Sequence, residues 1–271
     1  MTIPKALPRR LVGMVEAMEL DQPRVVTLPE LTKMAMEAGA SADEAGAVKL
    51  VYRLRDLGWL GTVRTQGAWE FNPGSRAGPF GSGDPFIELR AHLAVAPAWT
   101  GCLAMESAAT VLGLAQHLPS REVVALTPGE RLPRAMSDWR TVTFGLPGAG
   151  RAVEDGLPLW NVEGLVAGIA IRPSGYRDLA GLAQWLPEAG ERLRKDEFLE
   201  CLAGRPDAVW QRATYLLRVA GAAAIAEVLL ESRPPRHPVW FGATRTGGLY
   251  DPVAKVSDAD LGRHLEGGVG A

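Results

Sequence analysis

The sequence is poor in several things, and each shortage removes a class of protein. Cysteine occurs only at 102 and 201 in 271 residues. There is no CxxC pair and no Cys/His cluster, so neither a disulfide framework nor a structural zinc site organises the chain. Two buried free thiols in a reducing cytosol are the expectation. No apolar run reaches the ~18 residues needed to span a bilayer. The stretch MTIPKALPRRLVGMVEAMELD is too charged for a signal peptide. These absences point to a cytoplasmic protein with no membrane contact. Neither sign of charge dominates, with Lys+Arg 29, Asp+Glu 31 and a net charge of −2. A bulk polycation is excluded, and any nucleic-acid contact must come from a local patch. The bias of Arg over Lys reflects a GC-rich genome better than selection for phosphate binding.

Catalytic signatures are missing as well. There is no GxSxG nucleophile elbow, no HExxH and no GxxxxGK[ST] loop. His92, His117, His237 and His264 are scattered, with no paired metal-ligand spacing. GAGRAVEDG at 148–156 starts like a dinucleotide loop, but Val153 stands where the third glycine belongs and no clear strand precedes it. Gly247–Gly248 with Asp258 and Asp260 resembles the Gly-rich turn and D-x-D of nucleotidyltransferases. There, two carboxylates on one strand would hold Mg²⁺. Ser257–Asp258–Ala259–Asp260 reads instead as a capped helix start. No catalytic residue, cofactor or metal is expected.

What is present is ordinary globular material, 47% hydrophobic and 22% charged, in a length that suits about two domains of ~100–200 residues. The most informative segment is 41–71. Ala47, Leu50, Val51, Leu54 and Leu57 recur at helical spacing, while Lys49, Tyr52, Arg53 and Asp56 occupy the opposite side. A hairpin with Arg64, Gln66 and Gly67 at its tip follows. Upstream, a helix over 8–20 shows Leu11, Met14, Val15 and Met18 on one face, and 24–26 is β-prone. Thr27 and Glu30 form a capping box for a second helix, with Pro29 in its first turn. That helix has the stripe Leu31, Met34, Ala35, Ala38 and ends at Gly39. Ser41 is the expected N-cap of the third helix. The order helix, strand, helix, turn, helix, hairpin is that of a winged helix-turn-helix.

Residues 72–85, NPGSRAGPFGSGDP, cannot build a core. The expected division is therefore a winged-helix DNA-binding domain at 1–71, a linker at 72–83 and a mixed domain at 84–271, giving an α/β (α+β) protein overall. Beyond the linker, Asp84 is expected to cap a helix with Pro85 in its first turn, and helices are expected at 106–114, 162–171 (capped by Asn161), 175–186 and 191–202. A helical region over 206–231 is bent or divided at Gly221. Strands are expected at 122–127, 140–144, 239–241 and 249–256, and a frayed tail at 266–271.

The DNA-contact candidates follow from reach and exposure. Lys49, Tyr52 and Arg53 can address base edges or phosphates from the third helix. Arg64 and Gln66 suit a hairpin tip on phosphate or in the minor groove. Ser41 lies at the start of the third helix. Arg9 and Arg10, before the first helix, are further phosphate candidates. Small residues Ala45 and Gly46 would admit close approach of the backbone.

SAATVLGL at 107–114, NVEGLVAGIAIRP at 161–173 and WQRATYLLRVAGAAAIAEVLL at 210–230, in that order behind a winged helix, resemble bacterial antitoxins of the AbiEi type. The most recognisable pieces are the Ser-Ala-Ala helix and the Arg212–x–x–Tyr215–Leu216–Leu217 run. Family members commonly have an Arg-Gly turn and then Tyr in the hairpin, where this chain has Thr65–Gln66–Gly67 and Trp69. The resemblance implies a DNA-binding antitoxin that represses its own operon through inverted repeats in promoter DNA. It also implies action through the C-terminal domain against a co-encoded nucleotidyltransferase toxin, with no enzymatic activity of its own. The competing expectations are a ligand-sensing winged-helix regulator and a Mg²⁺-dependent enzyme targeted to DNA.

Overall fold

Helix periodicity and turn chemistry divide the amino-terminal part into short elements, each with one apolar face. The computed structural model describes residues 7–74 and 83–265. The expected tail at 266–271 and most of the expected linker lie outside them. The chain forms two compact units, one comprising 1–99 and 132–137, the other 100–131 and 138–271.

In the first unit, a 3-10 turn at Arg9–Leu11 leads into α1 (Val12–Asp21), followed by β1 (Val25–Thr27), α2 (Leu28–Glu37), α3 (Glu44–Asp56), β2 (Leu60–Thr62), β3 (Ala68–Phe71) and α4 (Ile87–Val95). β3 lies between β1 and β2, antiparallel to both. The core joins Leu11, Met14 and Met18 to Leu31, Val51 and Leu54, closed by Phe71 of β3 and by Trp59 just before β2. Burying each such side chain contributes about 1.5–3 kcal/mol before entropy is counted. The α2 stripe differs at its end. Ala38 is exposed, and Thr32 is buried in the core-facing row.

Capping fixes the helix ends. Glu30 accepts from the Thr27 amide (2.8 Å) and hydroxyl (2.7 Å), as the capping box predicts. The N-cap of α3 is Asp43, not Ser41. Asp43 Oδ1 accepts from the Gly46 amide at 2.6 Å, while the Ser41 hydroxyl donates to the Asp43 carbonyl at 2.8 Å. The turn between α2 and α3 is thus longer than the three residues expected. At the other end of α3, Gly58 (φ 79°) donates to the Arg55 carbonyl and Trp59 to that of Leu54. This left-handed stop drops the chain directly into β2.

Composition starts the second domain at 84, whereas α4 packs on β1 and β3 and is grouped with the first unit. Its first turn is fixed by Asp84, which accepts from the Phe86 amide (2.9 Å) and from Arg90 Nε (2.7 Å).

The second unit is built on a five-stranded sheet. Its elements begin β4 (Cys102–Leu103), α5 (Met105–Val111), β5 (Val123–Leu126), β6 (Arg140–Thr143), β7 (Arg151–Glu154) and β8 (Leu157–Trp160). The strand order is β6-β5-β4-β8-β7, with β4–β5 and β7–β8 antiparallel and the other pairs parallel. Then come α6 (Val162–Ile171), α7 (Leu179–Arg192), α8 (Lys195–Leu202), α9 (Asp207–Val219) and α10 (Ala223–Ser232). A small sheet of β9 (Val239–Phe241), β10 (Leu249–Asp251) and β11 (Val256–Asp258) is ordered β10-β11-β9, before α11 (Gly262–Leu265).

α6 is apolar nearly all round and buried accordingly. Asn161 caps it by accepting from the Gly164 amide at 2.8 Å, and a Cβ at Gly168 would strike the Trp160 ring. α7 runs through Pro187, past the stop at 186 that the sequence suggests. Leu182, Trp185, Leu186 and Ala189 bury one face and outweigh the lost amide bond. Gly221 (φ 75°) separates α9 from α10. No helix among the described residues is long and apolar enough to cross a membrane.

Candidate nucleic-acid interface

The exposed side of α3 follows from the same periodicity that buries Ala47, Val51 and Leu54. Lys49, Tyr52, Arg53 and Arg55 all face solvent. Among the described residues, no carboxylate lies within ion-pair distance of Lys49 or Arg53. The Arg55 guanidinium sits 5.1 Å from the centre of the Tyr52 ring and 2.9 Å from Asp56. The helix N-terminus carries Asp43 and Glu44, both exposed. Positive charge is therefore confined to the stretch from Lys49 to Arg55, the second half of the helix. Arg55 belongs to neither of the two residue sets that the periodicity of 41–57 picks out. Its spacing of three from Tyr52 is the signal that places it beside that ring.

Tyr52 joins the helix to the hairpin. Its ring stands edge-on to Trp69 of β3, with centroids 6.1 Å apart and planes at 89°. Trp69 is buried, while Tyr52 keeps 42% of its surface exposed. The hairpin loop, 63–67, turns at Gly67 (φ 80°), whose carbonyl accepts from the Leu28 amide at the start of α2 (2.9 Å). Gln66 is exposed at the tip. Arg64 is held from behind. Its amide donates to both oxygens of buried Glu88 on α4, at 2.8 and 3.0 Å, and its Nε lies 3.6 Å from the same carboxylate. Glu88 therefore positions the loop and offsets part of the charge Arg64 presents.

The remaining candidates lie elsewhere. Ser41 is half-buried and spends its hydroxyl in its own turn. A Cβ at Gly46 would run into that hydroxyl, so its small size serves the α2–α3 turn. Arg9 and Arg10 are exposed in the 3-10 turn before α1, a separate element from α3 and the hairpin.

In the second unit the polar residues that resemble chemistry are structural. Asp258, fully buried, accepts from Tyr215 Oη at 2.6 Å and from the amides of Asp260 (2.9 Å) and Leu261 (2.8 Å). Burial first, then the neighbouring Asp258 carboxylate, pushes the Tyr215 phenol far up, so it stays protonated and donates. Asp260 accepts from the amides of Ala243 and Thr244 and from the Thr244 hydroxyl. The two carboxylates of the D-x-D thus fasten separate loops. Among the described residues no group of three or more His, Cys, Asp or Glu is arranged to hold a metal. Arg212 of the Arg–x–x–Tyr–Leu–Leu run donates to the carbonyls of Ala208 (3.0 Å) and Ile171 (3.3 Å). Burial pushes Cys102 up to about 11 and Cys201 up to about 12, so both are thiols at neutral pH.

A helical head with a charged helix beside a three-stranded sheet, followed by a mixed α/β unit, defines a two-unit protein whose class is set by the second unit. Residues 99–219 match the family model of the AbiEi antitoxin C-terminal domain. Residues 99–219 are thus similar to the C-terminal domain of AbiEi antitoxins, in line with what the resemblance in the sequence implies. The crystal structure of the RV2827C protein from Mycobacterium tuberculosis is similar over the whole length. Its TM-score is 0.79 at 28% identity, covering 100% of this chain and 99% of that one. No curated protein matches the chain.

Proposed function

We propose that the first unit is a winged-helix head that binds promoter DNA carrying inverted repeats, and that the protein represses its own operon. In this reading α3 enters the major groove, with Lys49, Tyr52 and Arg53 as contacts and Arg55 as an addition to them. The 63–67 loop, with Gln66 and the outer part of Arg64, lies on the adjacent backbone or minor groove. Arg9 and Arg10 are secondary phosphate contacts, whereas Ser41, its hydroxyl donated within the α2–α3 turn, would meet a phosphate only if that bond were released. The second unit counteracts a co-encoded nucleotidyltransferase toxin in the cytoplasm, and we assign no catalytic step to either unit. The observation that carries the reading is the pairing of an unneutralised Lys49/Arg53 face with a hairpin anchored beside it through Tyr52 and Trp69.

The test is a gel-shift titration on promoter DNA. The K49A/R53A variant removes two exposed cations and should fold with an unchanged thermal midpoint. Its affinity should fall, and the slope of log affinity against log salt should flatten by about two. Unchanged binding would remove α3 from the interface.

A further inference from the structure

The open edge of the large sheet carries a second concentration of positive charge, built differently from the first. Among the described residues β6 is an edge strand, paired only with β5. Against it runs the short segment 172–177, which includes the 3-10 turn Pro173–Gly175. Between them is a pocket of about 260 Å³ lined by Arg140, Thr141, Arg172, Ser174 and Arg177, among others.

Glu106 organises this pocket without neutralising it. Glu106 is 4% exposed. It receives Arg140 in a two-pronged pair, Nη2 to Oε2 at 2.7 Å and Nη1 to Oε1 at 3.3 Å. Oε1 also accepts the Arg177 amide at 2.6 Å, and Arg140 Nη2 donates to the Gly175 carbonyl at 3.0 Å. One buried acid thus locks one guanidinium and the backbone that bears another. The side chains of Arg172 and Arg177 are exposed, and among the described residues neither has a carboxylate partner. Three arginines against one glutamate leave an excess of two positive charges, with the hydroxyls of Thr141 and Ser174 beside them as donors.

We infer that this pocket binds the terminal phosphate of a small phosphomonoester. A monoester carries about −1.5 to −2 charges at pH 7 with three strong acceptor oxygens, which matches the excess charge and the donor set. The volume is below the ~300–1,000 Å³ of pockets that enclose a whole drug-sized ligand. The phosphate enters and the remainder of the ligand stays in solvent. Glu106 and Arg140 act as positioning residues, while Arg172 and Arg177 close on the phosphate. The site is independent of the DNA-binding reading.

Isothermal titration of the full chain at fixed ionic strength, against inorganic phosphate and against a nucleoside 5′-monophosphate, tests this. Saturable one-to-one binding tighter than about 1 mM is expected, and acetate should not reproduce it. Preference between the two ligands distinguishes free phosphate from a nucleotide as the source. The R172Q/R177Q variant, changed only at exposed side chains, should keep its thermal midpoint. It should lose affinity by about tenfold per guanidinium removed while leaving the promoter-DNA shift intact. Any of three results would overturn the inference: no saturable binding of either ligand, equal binding by the variant, or loss of the DNA shift without phosphate binding. The last would make the patch a nucleic-acid surface.

Discussion

Tyr215 and Asp258 show how a single side chain in this protein is committed by its surroundings. The Asp258 side chain has no exposed surface, and its bonds come from one phenol and two amides. Such a buried polar group is tolerated only while its acceptor sites are filled. Tyr215→Phe removes one donor and keeps the ring, which also packs against Phe241 at 5.6 Å. The expected cost is about 1–3 kcal/mol, read as a lower midpoint in urea unfolding with the slope unchanged. A smaller loss would mean that water replaces the phenol. Of this pair the sequence offered only the Arg–x–x–Tyr run and a D-x-D decoy, because the partners are 43 positions apart.

At the scale of elements, the hairpin is the informative case. Its strands and its glycine turn are written in local sequence, but its anchorage is not. The bond from the Arg64 amide to Glu88 spans 24 residues and reaches a helix that composition assigns beyond a linker. Glu88→Ala should release the loop. The expected result is a stability loss of about 1–3 kcal/mol and weaker promoter binding, while Lys49 and Arg53 stay unchanged. DNA affinity equal to the parent's would show that the loop takes no part in the interface. The β7–β8 hairpin is absent from the expected strands, although Asp155–Gly156 is a strong two-residue turn signal. In the structure both residues adopt positive φ, 51° and 73°, and the stretch that starts like a dinucleotide loop is a 3-10 turn entering β7.

For the whole molecule, acid sensitivity and division into units are the accessible properties. Burial alone would raise Asp251, Asp260 and Glu130. The hydrogen bonds each accepts outweigh it, from Arg218 and two amides for Asp251, from Thr244 and Ala243 for Asp260, and from Thr100 and Thr127 for Glu130. All three therefore ionise at lower pH folded than unfolded. Their contribution is complete above about pH 5. It is lost as pH falls, because the unfolded chain takes up protons first. The thermal midpoint should drop between about pH 5 and pH 3, and Asp260→Asn should start lower at pH 7 and fall less. An equal fall in the variant would discharge Asp260 from that role. The units also bear on truncation. A fragment starting at 84 keeps α4 but strips β1 and β3 from the face holding Leu89 and Ala91, and residues 132–137 belong to the first unit as well. Point variants are therefore the cleaner way to test the proposed DNA binding apart from the proposed neutralisation.

The sequence by itself determined the elements and their buried stripes: Leu11–Met14–Met18, Ala47–Val51–Leu54, the Thr27–Glu30 box and the Asn161 cap. Helical period and capping are interactions over three or four positions, and a linear reading can see them. It also determined the exposed set Lys49, Tyr52 and Arg53, since what is not in the stripe faces water. Only the tertiary structure decided that α4 belongs with the head, that Glu88 grips the hairpin, and that Glu106 draws Arg140 and Arg177 to one sheet edge. Those are single contacts between distant positions, and a contact made once leaves no period in the chain to read.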